Sequence, residues 1–495
     1  MKKRNMVLVI FLVSFSLGAF SQGKNHNWLI GYNVSLIDTN VTATKARLLY
    51  NSNSLTIIPE TRKMPFRATQ GNISDENGNL IIVSNGCWVA NALGDTMLNG
   101  GGLNTGNFTS LGWCDNVSGL PMSHGNVVLP FPGDSTKFVL FHQIETVLYY
   151  SLIDMTLDGG LGGVVQKNIP VIQDSLNWGI TACKHANGRD WWIVALKQNS
   201  NLVYNVLLTP DTILSVTTQI LNFPFIYDNA GQPTFSPDGH KFAYTYGYGG
   251  PNGVHDVRIL NFDRCTGVYD SLSYIPLGAG AGFGLAFSPN SNYLYHSSFN
   301  KIYQVNLTNF SQDTVAVNDG FYSPYPPFQT DFWLMYLAAN GKIYISSGNG
   351  VIDMHYINYP DSSGSGCDVH LHGLHLPCFY VRGNVNHPNY YLGPITGSVC
   401  DSLTNTQEIA HDFKLSISPN PSNGIFKLTY LLPQNQNGRL EIYDVNGKRI
   451  YDMDLPPWST MQNISLPSTI ADGIYNCVLS SGNSRMNKKL VVINE

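Results

Sequence analysis

The chain has 495 residues, with 28 Lys and Arg against 33 Asp and Glu and only 12% charged residues. A mildly acidic chain without a basic stripe excludes the electrostatic footprint of a nucleic-acid binder. Its 27 Tyr and 47 Gly, with few long helical runs, point to an all-β protein with room for a large core and a small second domain.

At the N-terminus, Lys2, Lys3 and Arg4 precede an apolar stretch from Met6 to Phe20, and the small residues Ala19 and Ser21 stand just before Gln22. This is the layout of a secretory signal peptide over residues 1–21. The stretch is shorter than the roughly 20 residues of a membrane span, so a membrane anchor is the lesser reading. No later segment is long and apolar enough to span a bilayer, and no integral membrane span is expected. Removing the three cations of the leader leaves 25 basic against 33 acidic residues, a net charge of −8.

A self-similar unit fills the body, residues 24–400. Each copy is a tight turn, an apolar-aromatic strand, a short gap and a second strand, as in Asn187-Gly-Arg-Asp-Trp-Trp-Ile-Val194 followed by Leu202–Leu207. Gly78, Gly133, Gly188, Gly239, Ser291 and Gly341 mark successive turns, at spacings of 55, 55, 51, 52 and 50. Asn-Gly and Asp-Gly supply positive φ at such turns, and Ser-Pro-Asp-Gly at 236–239 adds a proline that pre-sets the bend. Units of this length, rich in strand formers, predict small antiparallel sheets arranged as a β-propeller, in which blade packs on blade and the ring hides its edges. Residues 27–60 and 367–393 are left over, and together they would build one more blade. Seven blades are favoured, with six or eight as alternatives.

The search for chemistry is less productive. No Gly-x-Ser-x-Gly, His-Glu-x-x-His, Walker or dinucleotide pattern is present, and no cofactor is expected. The densest cluster is Cys367-Asp-Val-His-Leu-His-Gly-Leu-His-Leu-Pro-Cys378. His370 and His372 share one strand face and are the candidate metal ligands, whereas His375 falls on the other face unless Gly373 turns the chain. Cysteines of an exported chain pair more often than they bind metal. The expected disulfides are therefore Cys87–Cys114 and Cys367–Cys378. His124, His142, Glu145 and His185 sit near strand ends and are candidates for the channel lining. Trp88, Trp113, Trp178, Trp191, Trp192, Tyr246 and Tyr248 are candidates for a binding face, although blade aromatics are more often core.

The last segment carries three blocks: Ser416-Ile-Ser-Pro-Asn-Pro-Ser-Asn-Gly-Ile-Phe426, Leu440-Glu-Ile-Tyr-Asp-Val-Asn-Gly-Lys448, and Ala471-Asp-Gly-Ile-Tyr475 with the basic-apolar ending Lys488–Ile493. In this order they resemble the type A C-terminal sorting domain of the type IX secretion system. The residues carrying the motif are Pro419, Asn420, Pro421, Gly424, Tyr443, Asp444, Gly447, Gly473, Tyr475 and Lys489. The resemblance implies a small β-sandwich over residues 415–495, recognition by the type IX machinery, and passage through the periplasm of a Bacteroidota-type bacterium to the surface or medium. The domain would follow a linker at 401–414. Cys477 stands where the motif usually has an apolar residue, which implies a buried free thiol. The body, through pieces such as His124-Gly-Asn-Val-Val-Leu-Pro and Pro388-Asn-Tyr-Tyr-Leu-Gly-Pro, resembles exported propeller-like proteins bearing the same domain. That family brings no catalytic residues to carry over. Asp-Ser/Thr-apolar triplets such as Asp95-Thr-Met and Asp313-Thr-Val resemble O-glycan acceptors of these bacteria, and read equally well as turn residues. The expected function is a non-enzymatic module binding an extracellular protein or glycan. The alternative is a secreted hydrolase or lyase with its site in the propeller channel.

Overall fold

The period-two alternation of apolar and polar residues in the body resolves into seven consecutive antiparallel sheets in a computed structural model. The structure describes residues 23–32, 43–51, 54–106, 109, 113–114, 119–210, 215–225, 231–245, 254–279, 282–324, 328–383, 385–401, 414–432, 437–456, 461–467, 469–481 and 484–493. The expected leader, 1–21, and most of the expected linker, 402–413, lie outside these residues, as do Tyr246 and Tyr248. Helix among the described residues amounts to the short 3-10 turns Asp158–Gly160 and Gly364–Cys367 and the single helical positions Thr109 and Asp401. No helix among them is long and apolar enough to cross a membrane.

The first sheet has three strands, Asn27–Ile30, Lys45–Asn51 and Ser54–Glu60. The other six have four strands each and begin at Gly71, Asn126, Thr181, Gln232, Gly282 and Met335. One parallel pairing, Gly163 with Leu98, joins the outer strands of the second and third sheets. The six turn residues read from the sequence all lie between the first and second strands of a sheet, and all have positive φ, from +59° at Ser291 to +84° at Gly78. That shared position is what sets the near-constant spacing.

Apolar clusters fill each interface between neighbouring sheets. Leu29 meets Val83 and Ala90 between the first and second sheets. Trp192 and Val194 meet Phe242 and Phe262 between the fourth and fifth. Ile259 and Val257 meet Leu285 and Leu294 between the fifth and sixth. The seventh sheet packs back on the first, where Trp28, Leu48 and Tyr50 meet Tyr344, Met354 and Leu376, with the Trp28 and Tyr344 rings 5.7 Å apart. The ring therefore closes as a seven-bladed β-propeller. No strand is shared across this seam, because residues 27–60 form a blade by themselves. Burial of aromatic surface holds the seam instead, helped by a backbone hydrogen bond from Ala43 N–H to Pro377 O at 3.1 Å.

This corrects the expected use of residues 367–393. Val369–Tyr380 is the outer strand of the seventh blade, not part of a separate one. The described residues of 381–393 join no ladder. The composition of this stretch, rich in Asn and Gly and broken by Pro388, suits side-chain anchoring rather than strand pairing.

The cysteines also differ from expectation in part. Cys87 and Cys114 are bonded, and so are Cys265 and Cys400. Cys367 and Cys378 are free and buried, which overturns the bridge expected between them. The reason is geometric: Cys367 precedes and Cys378 nearly ends a twelve-residue strand, so they lie roughly 30 Å apart along it, far beyond disulfide reach. Cys183 and Cys477 are likewise free and buried, and burial pushes both thiols up to about 12.

The second unit, from Asp401 onward, is a β-sandwich. One sheet holds Lys414–Ser418, Ile425–Leu431 and Met461–Ser465. The other holds Arg449–Leu455, Gly438–Tyr443, Gly473–Ser481 and Ser484–Val492. Phe426, Leu428 and Tyr430 from the first face Leu440, Ile442, Cys477 and Leu490 from the second.

Candidate functional site

The propeller's central channel is divided by the chain's own continuation. After Tyr380 the segment 381–400 enters the channel as a strap. Asn386 donates from Nδ2 to Asn126 O at 3.1 Å and Ile180 O at 2.7 Å, joining the third and fourth blades. His387 donates from Nε2 to Asn72 O on the second blade at 2.9 Å, which fixes its tautomer. The Tyr390 hydroxyl donates to Val128 O on the third blade at 2.9 Å, and Asn389 Nδ2 donates to Pro237 O beside the fifth at 2.8 Å. Lys24 N–H donates to the Tyr391 hydroxyl at 2.7 Å, and Arg264 Nη2 donates to Gly393 O at 2.7 Å. The strap ends at the Cys265–Cys400 disulfide, so it is laced and then tied.

On the other side of the strap a cavity of about 1060 Å³ stays open. Its walls are the first strands of the fourth to seventh blades, Trp28 with the residues before it, and the strap from Val385 to Gly393. Gln232 braces this half: its Oε1 accepts from Leu285 N–H at 3.0 Å and Met335 N–H at 3.2 Å, and its Nε2 donates to Met335 O at 2.7 Å. His124 and Tyr336, from opposite arcs of the ring, share a hydrogen bond at the cavity wall. Burial pushes His124 down to about 3 and His387 down to about 4, and lowers His26 as well, so all three wall histidines are neutral near pH 7. Among the described residues that line it there is no Asp or Glu. The lining ammonium among them, Lys184, donates to Arg189 O at 3.2 Å and lies 4.3 Å from the Trp191 ring centre.

Of the four residues expected in the channel, only His124 lines the cavity. His142 is buried within the third blade, between Asn104 Oδ1 at 2.8 Å and Ser151 Oγ at 2.9 Å, and burial pushes it down to about 3. His185 contacts Cys265 O at 3.0 Å, and Glu145 accepts from the Trp178 indole at 3.2 Å. Trp191 and Trp192 are blade core. The sequence did not single out Gln232, Asn386, His387 or Asn389 for this site. Pro388-Asn-Tyr-Tyr-Leu-Gly-Pro, a stretch of turn formers where another blade was due, was the available signal.

The two metal candidates stand apart, each with its own carboxylate. His370 lies 3.0 Å from Asp368 and stacks on Tyr356. His372, at φ +37°, lies 3.0 Å from Asp319 and stacks on Phe321. His375 lies 2.9 Å from Asp353. Among the described residues no group of three or more His, Cys, Asp and Glu is placed to hold a metal ion.

In the second unit the motif residues act together. Asn420 donates from Nδ2 to Lys489 O at 2.7 Å and accepts from Val491 N–H at 2.8 Å, fastening the first block to the last strand. Asp444 Oδ1 accepts from the amides of Asn446 and Lys448 at 2.9 Å, closing the turn that Gly447 permits with φ +78°. The Tyr475 hydroxyl donates to Ala471 O at 2.7 Å. Asp444, Val445, Ile474, Tyr475, Asn476 and Lys489 frame one shallow hollow of about 240 Å³, where the later blocks meet. Residues 416–493 match the family of secretion system C-terminal sorting domains. The C-terminal unit is a type IX sorting domain. It directs the protein to the cell surface or the extracellular space.

None of the curated proteins matches the chain. Solved structures similar to it include a Bacteroides uniformis protein assigned as a 6-phosphogluconolactonase, with 14% identity and a TM-score of 0.39, covering 68% of this chain and 93% of that one. A periplasmic gluconolactonase of Pseudomonas aeruginosa has 13% identity and a TM-score of 0.39, covering 72% and 97%. The extracellular domain of a B. thetaiotaomicron protein assigned as a one-component system has 9% identity and a TM-score of 0.37, covering 94% of this chain and 57% of that one. Likeness at this level is too loose to transfer a site.

Proposed function

We propose that the exported propeller is a binding module, engaging an extracellular protein or glycan through its channel. The observation that carries this reading is the cavity of about 1060 Å³ whose described lining residues include no carboxylate and whose histidines are neutral. A hydrolase or lyase working by acid–base chemistry wants a group poised near the working pH. Histidines held near 3 to 4 are too weakly basic for that role, and Lys184 is already engaged with a carbonyl and a ring. The walls instead offer amides, hydroxyls and apolar faces, the usual composition of a small-molecule or glycan pocket. The second unit's hollow, with Asp444, Tyr475 and Lys489 at its rim, is the face we assign to the type IX machinery.

The test is an array of glycans and peptides probed with the full chain and with Ala339→Trp, which fills the cavity from its wall. Retention by the native chain that is lost in the variant supports the reading. Turnover of ester, lactone or glycosidic substrates, abolished by the same variant, would replace it with the enzymatic alternative.

A further inference from the structure

The cavity's chemistry narrows the class of ligand, and this step rests on the reading of the channel as a binding site. A ligand entering a partly enclosed protein cavity sheds water, so any charge it carries must find an opposite charge in the wall. Among the described residues the wall offers no carboxylate to a cation, so cationic ligands are disfavoured. To an anion it offers Lys184, whose ammonium already has Arg189 O and the Trp191 ring as neighbours.

What the wall does offer is patterned. Phe235, Pro233, Pro237, Leu337 and Leu392 present flat or rounded apolar surface. Thr181, Thr234, Ser236, Asn386 and Asn389 intersperse hydroxyls and amides. At about 1060 Å³ the cavity stands at the top of the ordinary range of about 300–1,000 Å³ for ligand pockets. That is room for a few linked rings rather than one.

We propose that the cavity takes a short, uncharged oligosaccharide, with sugar C–H faces against the apolar wall and its hydroxyls on the interspersed amides and hydroxyls. The strap supplies one wall through Asn386 to Gly393, so the same segment that fills the rest of the channel shapes the sugar site.

The experiment is calorimetric titration of the full chain with five probes: cellotriose, maltotriose, chitotriose, trigalacturonate and glucose 6-phosphate. At least one neutral trisaccharide is expected to bind, and at least tenfold more tightly than either anion. Ala339→Trp should abolish it, with the melting temperature confirming that the variant folds. Tighter binding of an anion, blocked by Ala339→Trp, would overturn the ligand class and leave the cavity reading standing. Neutral sugar binding indifferent to Ala339→Trp would overturn the cavity reading itself. Failure of all five probes overturns the assignment to sugars. A tripeptide panel, blocked by Ala339→Trp, then separates a wrong class from a wrong site.

Discussion

The two sides of the propeller channel solve one problem in opposite ways. Seven blades around an axis leave a hole lined by first strands, and polar groups there must find partners or meet water. Toward the second and third blades the hole is filled: Asn386, His387 and Tyr390 bring donors to Asn126 O, Asn72 O and Val128 O. Toward the fourth to seventh blades it stays open, and Gln232 reaches sideways to tie Leu285 and Met335 instead of across to a filler. The filled side is held by the strap, and the open side by its own inner strands together with the strap's bonds to Ile180 O and Pro237 O. A channel can thus be sealed for stability on one side while the other keeps room for a ligand.

Acid should damage both sides and gives the largest effect. Burial pushes His124, His142, His296 and His355 down to about 3, and His387 down to about 4. The folded state therefore resists protons that the unfolded chain accepts below about 6.5. The stability these groups contribute is fully present above that pH and is lost as pH falls toward the folded values. At pH 5 each represents about 2 kcal/mol, and five together approach the whole net stability of a domain. Melting temperature is expected to fall steeply between pH 6.5 and 5, with a shallower slope in His142→Asn. A flat profile over that range would break the account of these histidines as buried and neutral.

Untying the strap separates the two sides. The Cys265–Cys400 disulfide closes a loop of 135 residues, worth up to about 5 kcal/mol in the chain-entropy account. The paired substitution Cys265→Ser with Cys400→Ser should lower the urea midpoint by a corresponding amount. It should also speed alkylation of Cys183, which Leu392 of the strap helps to bury. If Cys183 stays protected, the side-chain lacing alone holds the strap.

The propeller was legible in the sequence because one positive-φ turn recurs at one place in each blade, from Gly78 to Gly341. The sorting domain was legible because its three blocks are local strings whose residues also meet in space, as Asn420 does with Lys489 and Val491. The site was not legible, because its walls come from blades some 50 residues apart and from a strap with no periodicity. His370 and His372, close in sequence, pair with different carboxylates, Asp368 beside the first and Asp319 far from the second in sequence, whereas Asn386 and Asn126 meet across 260 residues. The expected Cys367–Cys378 bridge failed for a related reason. Proximity in sequence means distance in space once the residues between them are extended in a strand.

Braces on the two sides can be compared directly. Gln232→Ala would leave Leu285 N–H, Met335 N–H and Met335 O without their partner, at about 3 kcal/mol in all, and should loosen the open side. Asn386→Ala leaves two carbonyls unpaired, Asn126 O and Ile180 O, and should cost less, about 2 kcal/mol, because a carbonyl tolerates a lost donor better than an amide tolerates a lost acceptor. Hydrogen exchange distinguishes the two. The first variant should raise exchange at Leu285 and Met335 while leaving the second and third blades unchanged. The second should raise it at the strap amides Tyr391 and Ile395 and leave the sixth blade protected. Exchange spreading around the whole ring in either variant would mean that the channel opens as one unit, and the division into a filled and an open side would then describe packing but not stability.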